Sequence, residues 1–312
     1  MQIFRDVLQV PDAFHGAVVA LGNFDGVHLG HQEILRRCVQ LAQAMGRPAT
    51  CMTFSPHPRE FFNPAAPPLR IIGTARKLSL LRRHGMQAVF LARFNAAFAG
   101  LSADRFVTDI LHGALGAAHI VTGYNFGFGK GRGGTTDFLA QRAGELGMGF
   151  TPCPPVVAAG GMVISSSAIR EQLARGHVRE AAALLGHAYQ IEGRVRHGDK
   201  RGRELGYPTA NVPLAHLFAP RFGVYAGWLH TVGGTLPAAV NIGVRPQFPS
   251  ATPLLEAHAL EGAPQLYGQR VQVELTDYLR EEARFDSVQA LKDQMAADCR
   301  QARALLVRKE AV

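Results

Sequence analysis

The sequence predicts two domains in succession: an α/β domain built on a parallel sheet, then an all-β barrel that ends in one helix. Three observations carry this expectation. Between Ala17 and Leu146 short apolar runs alternate with segments of helical period. From Tyr189 to about Tyr278 that rhythm is replaced by short β-type runs broken by Gly and Pro. A last amphipathic stretch then places Val288, Leu291, Met295, Ala302 and Leu305 on one helical face. With 312 residues, both domains are large enough to bury a core.

The elements of the first domain follow in order. Ala17–Leu21 is an apolar strand ending in Gly. Behind it Ile34, Leu35, Cys38, Leu41, Ala42 and Met45 share a face opposite Arg36, Arg37, Gln40 and Gln43, which is helical spacing. Ala49–Phe54 reads as a strand stopped by a Pro-rich segment. Thr74 is placed to cap a helix that Gly85 closes. Ala88–Phe94 is a strand, Ser102–His112 a helix, His119–Thr122 a strand, Thr135–Leu146 a helix, and a further strand lies near Gly149–Val157. Two short helices, Ala168–Ala174 and Val178–Leu185, lead to Gly186. The expected domains are therefore 1–186 and 187–312.

Composition removes several classes of function. No stretch approaches the roughly 18 apolar residues of a membrane span, and the first residues carry Asp6, Pro11 and Asp12 instead of a cationic start and an apolar run. Cys38, Cys51, Cys153 and Cys299 form no CxxC pair, so neither a disulfide framework nor a zinc site is expected. A soluble cytoplasmic protein is the reading. The net charge of +9 comes mostly from Arg, which supplies 28 of 33 cations, and no basic run is interleaved with aromatics. Such a charge suits nucleic acid or small anionic substrates, or else reflects an Arg-rich composition with no partner behind it; with no basic run of that kind, neither nucleic acid nor membrane is expected as a partner. Oligomeric state leaves no signal.

The densest motif is Gly22-Asn23-Phe24-Asp25-Gly26-Val27-His28-Leu29-Gly30-His31, at a strand end opening a helix. Two histidines three apart share a helix face. The helix N-terminus offers unpaired N–H groups and partial positive charge, and Gly30 lets a phosphate chain approach the backbone. These groups suit charge developing on phosphate oxygens; a metal-binding pair or two surface histidines are the alternatives. The HxGH turn resembles the nucleotidyltransferase superfamily. Joined by Thr53–Pro58, Gly123–Gly129 and Ile164–Arg170 in order, it resembles the FMN adenylyltransferase module of bacterial bifunctional riboflavin kinase/FAD synthetases. The resemblance implies a Rossmann-like nucleotidyltransferase domain with His28, His31 and Arg170 catalytic. It implies nucleotide binding at Gly22, Asn23, Phe24, Gly30, Ser165, Ser166 and Ser167, and flavin binding at Phe54, His57, Asn125, Phe126 and Phe128.

A GxGxxG run at 129–134 lacks the acidic residue about 20 positions on that a dinucleotide site wants. It reads as a glycine-rich loop beside nucleotide or flavin. Lys130 is followed by Gly131 where a Walker A loop needs Ser or Thr.

In the second half, Gly198–Gly206 carries glycines and charges at a turn, followed by Tyr207-Pro208-Thr209-Ala210-Asn211. Thr209 and Asn211 alternate onto one side of a strand, and their hard oxygens suit a Mg²⁺ shell made mostly of water and phosphate. By itself the glycine turn is equally a solvated hairpin. With Phe222–Gly227, Asn241–Pro246, Glu256–His258, Leu266–Gly268, Leu279–Glu282 and Phe285–Ser287, the segment resembles the riboflavin kinase module of the same family. The resemblance implies an all-β riboflavin-kinase barrel with Gly198, Lys200, Gly202, Thr209 and Asn211 on ATP, Thr209 and Asn211 on Mg²⁺, Glu256 as general base, and Arg280 on flavin. Gln247 and Glu261-Gly262 depart from the family pattern on the flavin side.

The expected chemistry is riboflavin to FMN in the second module and FMN to FAD in the first, each using ATP and Mg²⁺. Riboflavin, FMN and FAD are substrates or products. A single-activity descendant with one silent module is the alternative among enzymes, and a flavin-sensing regulatory protein outside them. The latter would be expected to lack His28, His31 or Glu256 and to carry a basic patch.

Overall fold

A computed structural model describes residues 1–6, 9–197, 206–244, 252–262 and 265–310, with side chains of the last helix described to 307. The chain forms two compact units, 1–67 with 74–165, and 68–73 with 166–312.

The first unit is a six-stranded parallel sheet of β1 (Gln2–Phe4), β2 (Val18–Leu21), β3 (Ala49–Ser55), β4 (Ala88–Arg93), β5 (His119–Gly123) and β6 (Gly149–Cys153), ordered β1-β4-β3-β2-β5-β6. Its helices are α1 (Leu29–Met45), α2 (Pro58–Phe62), α3 (Thr74–Arg83), α4 (Ala96–Ala99), α5 (Ala103–Arg105) and α6 (Thr136–Glu145). Every residue of β2 is wholly buried, as a parallel strand covered on both faces must be. The left-handed Gly46 (φ 61°) ends α1. Strand order grows from β2 through β3 to β4 on one side, then jumps back across to β5 and β6 on the other. The reversal opens a crevice beyond the carboxyl ends of β2 and β5, the expected ligand position in such sheets.

The strands and helices expected here are present, with local differences. Ser102 caps α5, its Oγ accepting from Arg105 N–H at 3.2 Å. The helix then continues through Phe106–Ala114 with π-type winding. Thr74 is the first residue of α3 itself. The sequence period did not reveal β1, α2 or α4, which span only three to five residues each.

The second unit begins with α7 (Ser166–Ala174) and α8 (Val178–Leu185) and continues with β7 (Gln190–Arg194), β8 (Thr209–Pro213), β9 (Gly223–Thr231), β10 (Gly234–Gly243), β11 (Leu254–Ala259), β12 (Arg270–Arg280) and α9 (Val288–Glu310). The strands pair antiparallel in the order β7-β12-β9-β10-β11-β8. A bridge from Arg196 N–H to Asn211 O at 2.9 Å brings the two edges together, so the barrel nearly closes. Tyr225, Leu229, Val240, Ile242, Leu255 and Val212 alternate inward and are buried.

Gly186 does end α8 in a left-handed turn (φ 69°), which is the boundary signal the sequence offered. By packing, however, both preceding helices go with the barrel. Arg179 pairs with Asp277, and Arg221 N–H donates to Leu173 O at 2.9 Å. Residues 68–73 join them: Arg70 O accepts from Phe218 N–H at 2.8 Å.

The closing helix covers the outer face of the barrel through Ala302, Leu305 and Leu306, against Ala226, Trp228 and Ala239. Its apolar face is shorter than the sequence implied: Val288 is 62% exposed, while Leu306 is buried. Asp298, 5% exposed, instead holds Arg280 with two hydrogen bonds of 2.8 and 2.7 Å. Leu306→Ala should therefore cost about 2–4 kcal/mol in urea unfolding. Val288→Ala should stay within about 0.5 kcal/mol.

Candidate active sites

The first motif occupies the crevice end of β2. Past Leu21 the chain turns sharply, with Phe24 (φ 49°), Gly26 (φ 84°) and Val27 (φ 43°) all left-handed. Two non-glycine residues in that region mark a tightly determined loop. It delivers His28 as the N-cap of α1, where Nδ1 accepts from the His31 backbone N–H at 3.3 Å. That bond leaves the His28 proton on Nε2.

The two imidazoles stack, ring centroids 3.6 Å apart, and Phe24 meets His31 edge-on at 5.3 Å. His31 is held well below the ordinary histidine pKa by burial, then by His28 and Lys77. Its Nδ1 is buried with no hydrogen-bond partner among the described residues. The pair thus provides neutral imidazoles at a helix N-terminus, able to donate hydrogen bonds to an oxyanion. Among the described residues, no cluster of three or more His, Cys, Asp or Glu side chains could hold a metal.

Gly30 is required by space. A Cβ there would lie 3.2 Å from the His28 ring and 3.5 Å from Ile164 O. Gly22 N–H donates to Met52 O at 3.2 Å, tying the loop to β3. Asn23 presents its carbonyl to Lys77 Nζ (3.1 Å) and to Thr53 Oγ1 (3.0 Å). Lys77 was missed in the sequence, and Thr53 was noted only as the start of the Thr53–Pro58 segment. The available signal was that Lys77 is one of only five lysines in an Arg-rich chain.

Flavin candidates gather beside the same edge. Asn125 is exposed just past β5 and Phe126 is half-buried, stacked at 5.7 Å on Phe128. Phe54 and Phe128, 8% and 7% exposed, back this surface more than they form it. His57 caps α2, its Nδ1 accepting from Arg59 N–H at 3.2 Å. The sequence reading overlooked Phe61, Phe62, Phe94 and Phe98, which continue the aromatic array from Phe54, with Phe62 67% exposed. The adjacent Phe pair was the sequence signal. The GxGxxG run forms a short turn at Lys130–Arg132 between β5 and α6, with Lys130 and Arg132 exposed, and does not open a helix.

In the second unit, Ser166 opens α7 with Ser165 just ahead of it, and Arg170 lies one turn in. Arg170 donates to Leu69 O at 3.2 Å and approaches Ser167 Oγ at 3.5 Å.

The barrel register assembles the other set. Asn211 pairs with Glu256, Glu256 with Asn241, Asn241 with Val224, and Val224 with Arg280. Residues directly opposite in an antiparallel ladder point to the same face, so this row crosses the outside of the barrel. Thr209 and His258 pair in the next outward row. Asn211 Nδ2 donates to Thr209 O at 3.2 Å and lies 3.4 Å from Thr209 Oγ1. His258 Nδ1 is 2.9 Å from Pro208 O and fixes the turn into β8, a role the sequence did not disclose. Arg280 is engaged by Asp298 and by Glu281 O at 2.7 Å. Gly198, Lys200, Gly202 and Gln247 lie outside the described residues. Glu261 and Gly262 sit exposed in a turn.

Two sheets, each carrying an ordered set of polar groups on one edge or face, match two family models. The FAD synthetase model spans residues 10–168 and the riboflavin kinase model residues 185–306. A bifunctional riboflavin kinase/FMN adenylyltransferase from Pseudomonas fluorescens is 41% identical over 98% of each chain. The chain belongs to the bifunctional riboflavin kinase/FMN adenylyltransferase family. The Escherichia coli K12 member is 40% identical over 96% of each chain. The crystal structure of a Streptococcus pneumoniae macrolide-efflux protein is 32% identical, with a TM-score of 0.84 over 96% of this chain and 98% of that one. No helix among the described residues is long and apolar enough to cross a membrane.

Within this family member the room at Gly30 is testable. Gly30→Ala should push the His28 ring from its cap and slow FAD formation by about 10- to 100-fold, the scale of an ångström-level misplacement. FMN formation from riboflavin, followed by chromatography, should be unchanged.

Proposed function

We propose that this bifunctional riboflavin kinase/FMN adenylyltransferase makes FAD from riboflavin in two ATP-dependent steps, FMN synthesis at the barrel and adenylyl transfer at the parallel sheet. The observation that carries the reading is the stacked His28–His31 pair at the strand-order reversal.

In the adenylyl step a phosphate oxygen of FMN attacks the α-phosphorus of ATP, and the bond to the β-phosphate oxygen breaks to release pyrophosphate. That oxygen is already ionised at neutral pH, so no protein base is required. His28 Nε2–H, His31 and the first N–H groups of α1 stabilise the charge that builds on the α-phosphate. Gly22, Asn23, Phe24 and Gly30 shape the nucleotide cradle. Ser165, Ser166, Ser167 and Arg170 are assigned to the departing pyrophosphate. The isoalloxazine is assigned to the aromatic array around Phe126 and Phe62, with Asn125 and His57 at its rim.

In the kinase step the ribityl hydroxyl is a poor nucleophile. Glu256 accepts its proton as it attacks the γ-phosphorus, and ADP leaves. The adjacent neutral oxygens of Thr209 and Asn211, on the face that carries Glu256, fit a cation that keeps most of its shell as water and phosphate. Mg²⁺ held there would neutralise the ATP phosphates. The Arg280–Asp298 pair supports the idea that Arg280 shapes the flavin side through the strand end it fixes. We place the division of labour at Gly186: residues 1–186 serve adenylyl transfer and 187–312 the kinase. A cytoplasmic location is supported by four free cysteines, three of them buried. The partners are ATP, riboflavin and FMN, with no nucleic acid and no membrane.

Two substitutions test the assignment. His28→Ala or His31→Ala should lower FAD formation from FMN by about 10²–10³, the worth of one transition-state donor, and spare FMN formation. Glu256→Gln should lower riboflavin phosphorylation by roughly 10²–10⁴ while supplied FMN still becomes FAD. Normal kinase turnover in Glu256→Gln would exclude it as the base.

A further inference from the structure

Lys77 is 8% exposed, an unusual place for an ammonium group. It projects from α3 beneath the loop that follows β2. Its Nζ donates to Asn23 O at 3.1 Å and to Thr53 Oγ1 at 3.2 Å, and the Thr53 hydroxyl donates to the same carbonyl at 3.0 Å. One cation therefore joins α3, β3 and the strained loop at a single point. Asn23 directly precedes Phe24, whose left-handed backbone sets its ring against His31.

We propose that Lys77 is a positioning residue for adenylyl transfer, holding the Asn23–Phe24 turn so that the histidine pair is aligned. The inference rests on the role given above to His28 and His31. Burial, then His28 at the N-cap of α1 and Lys77 on α3, oppose protonation of His31. Cys51 of β3 also feels Lys77, but burial raises its thiol far above neutrality, so it brings no counter-charge. The loop itself also carries the buried Asp25. Without the ammonium, His31 takes a proton at higher pH, and a cationic His31 stacked on His28 disrupts the pair.

The test compares Lys77→Met and Lys77→Arg with the wild-type full chain, measuring FMN-to-FAD turnover across pH and riboflavin-to-FMN turnover in the same preparations. Lys77→Met should lower kcat for FAD formation at least about 10-fold, as a displaced turn implies, with a smaller change in KM. Neutral His31 is the active form, so activity falls as pH drops through its pKa; raising that pKa moves the acid limb of the profile to higher pH. FMN's own phosphate, with a second pKa of about 6, titrates identically in all variants, so a difference between them reports on the protein. Lys77→Arg keeps the charge and should retain the wild-type acid limb despite a lowered kcat.

Unchanged kcat and an unmoved acid limb in Lys77→Met would overturn the proposal. So would a fall in FAD formation with the acid limb unmoved, since that is what simple loosening of the fold produces. If Lys77→Met is insoluble or loses both reactions, Lys77→Arg decides: a wild-type acid limb supports the proposal and a displaced one overturns it. His31→Ala, run alongside, separates the two layers. If it still makes FAD, the reading of the histidine pair fails; if it is inactive while Lys77→Met is normal, only the role of Lys77 fails.

Discussion

Burial of the central strands of the parallel sheet on both faces is the constraint that organises the first unit. Val18–Leu21 has no solvent-facing position at all, so polar chemistry can appear only where a strand stops. Gly22 is the first residue past that limit, and within nine positions the chain has delivered a strained turn, an N-cap, two stacked imidazoles and a helix start. The reversal of strand order beside β2 leaves room at that edge. Helix dipole, capping and left-handed turn are consequences of meeting the chemistry at a strand end.

The barrel solves the same problem differently. Its sheet is apolar within and α9 covers only part of its outer face, so reactive groups can sit in the middle of strands. Thr209, Asn211, Glu256 and Asn241 come from three strands and are brought together by register alone. A one-residue slip would send Glu256 into the apolar interior. The near-closure at Arg196–Asn211, the Arg280–Asp298 pair and the cover of α9 all resist such slippage. Register is therefore as much a part of this site as its side chains.

These differences explain what the sequence disclosed. The βα alternation, the helix after Leu21 and the break into short β runs are periodic signals that packing reinforces. The Gly22–His31 motif is local, so its geometry follows from adjacent residues. Lys77, Thr53 and His258 act across 54, 30 and 50 positions, and no period records such a distance. Asp298 carried no signal in the sequence, because its partner Arg280 lies on another element. Val288 fitted the helical stripe, but the barrel face that α9 covers does not extend to it. The boundary at Gly186 was read from a backbone stop, whereas α7 and α8 take their side from long-range pairs such as Arg179–Asp277.

The short segment 68–73 carries a consequence for how the protein is made. It belongs with the second unit, through Arg70 on Leu217 and Phe218 and through Leu69 on Arg170. On a ribosome adding roughly 5–20 residues per second, these six residues emerge many seconds before residue 217 exists. The last three strands of the parallel sheet, β4 to β6, are synthesised within that interval, since β4 begins at Ala88 and β6 ends at Cys153. The segment must wait for its barrel contacts while the second half of the sheet is made. Its closure is then a contact of high sequence separation, the kind that slows folding. Pro68 opens the segment and Pro64 and Pro67 lie just before it; they restrict the backbone there during that wait, which limits the alternative pairings open to an idle stretch of chain.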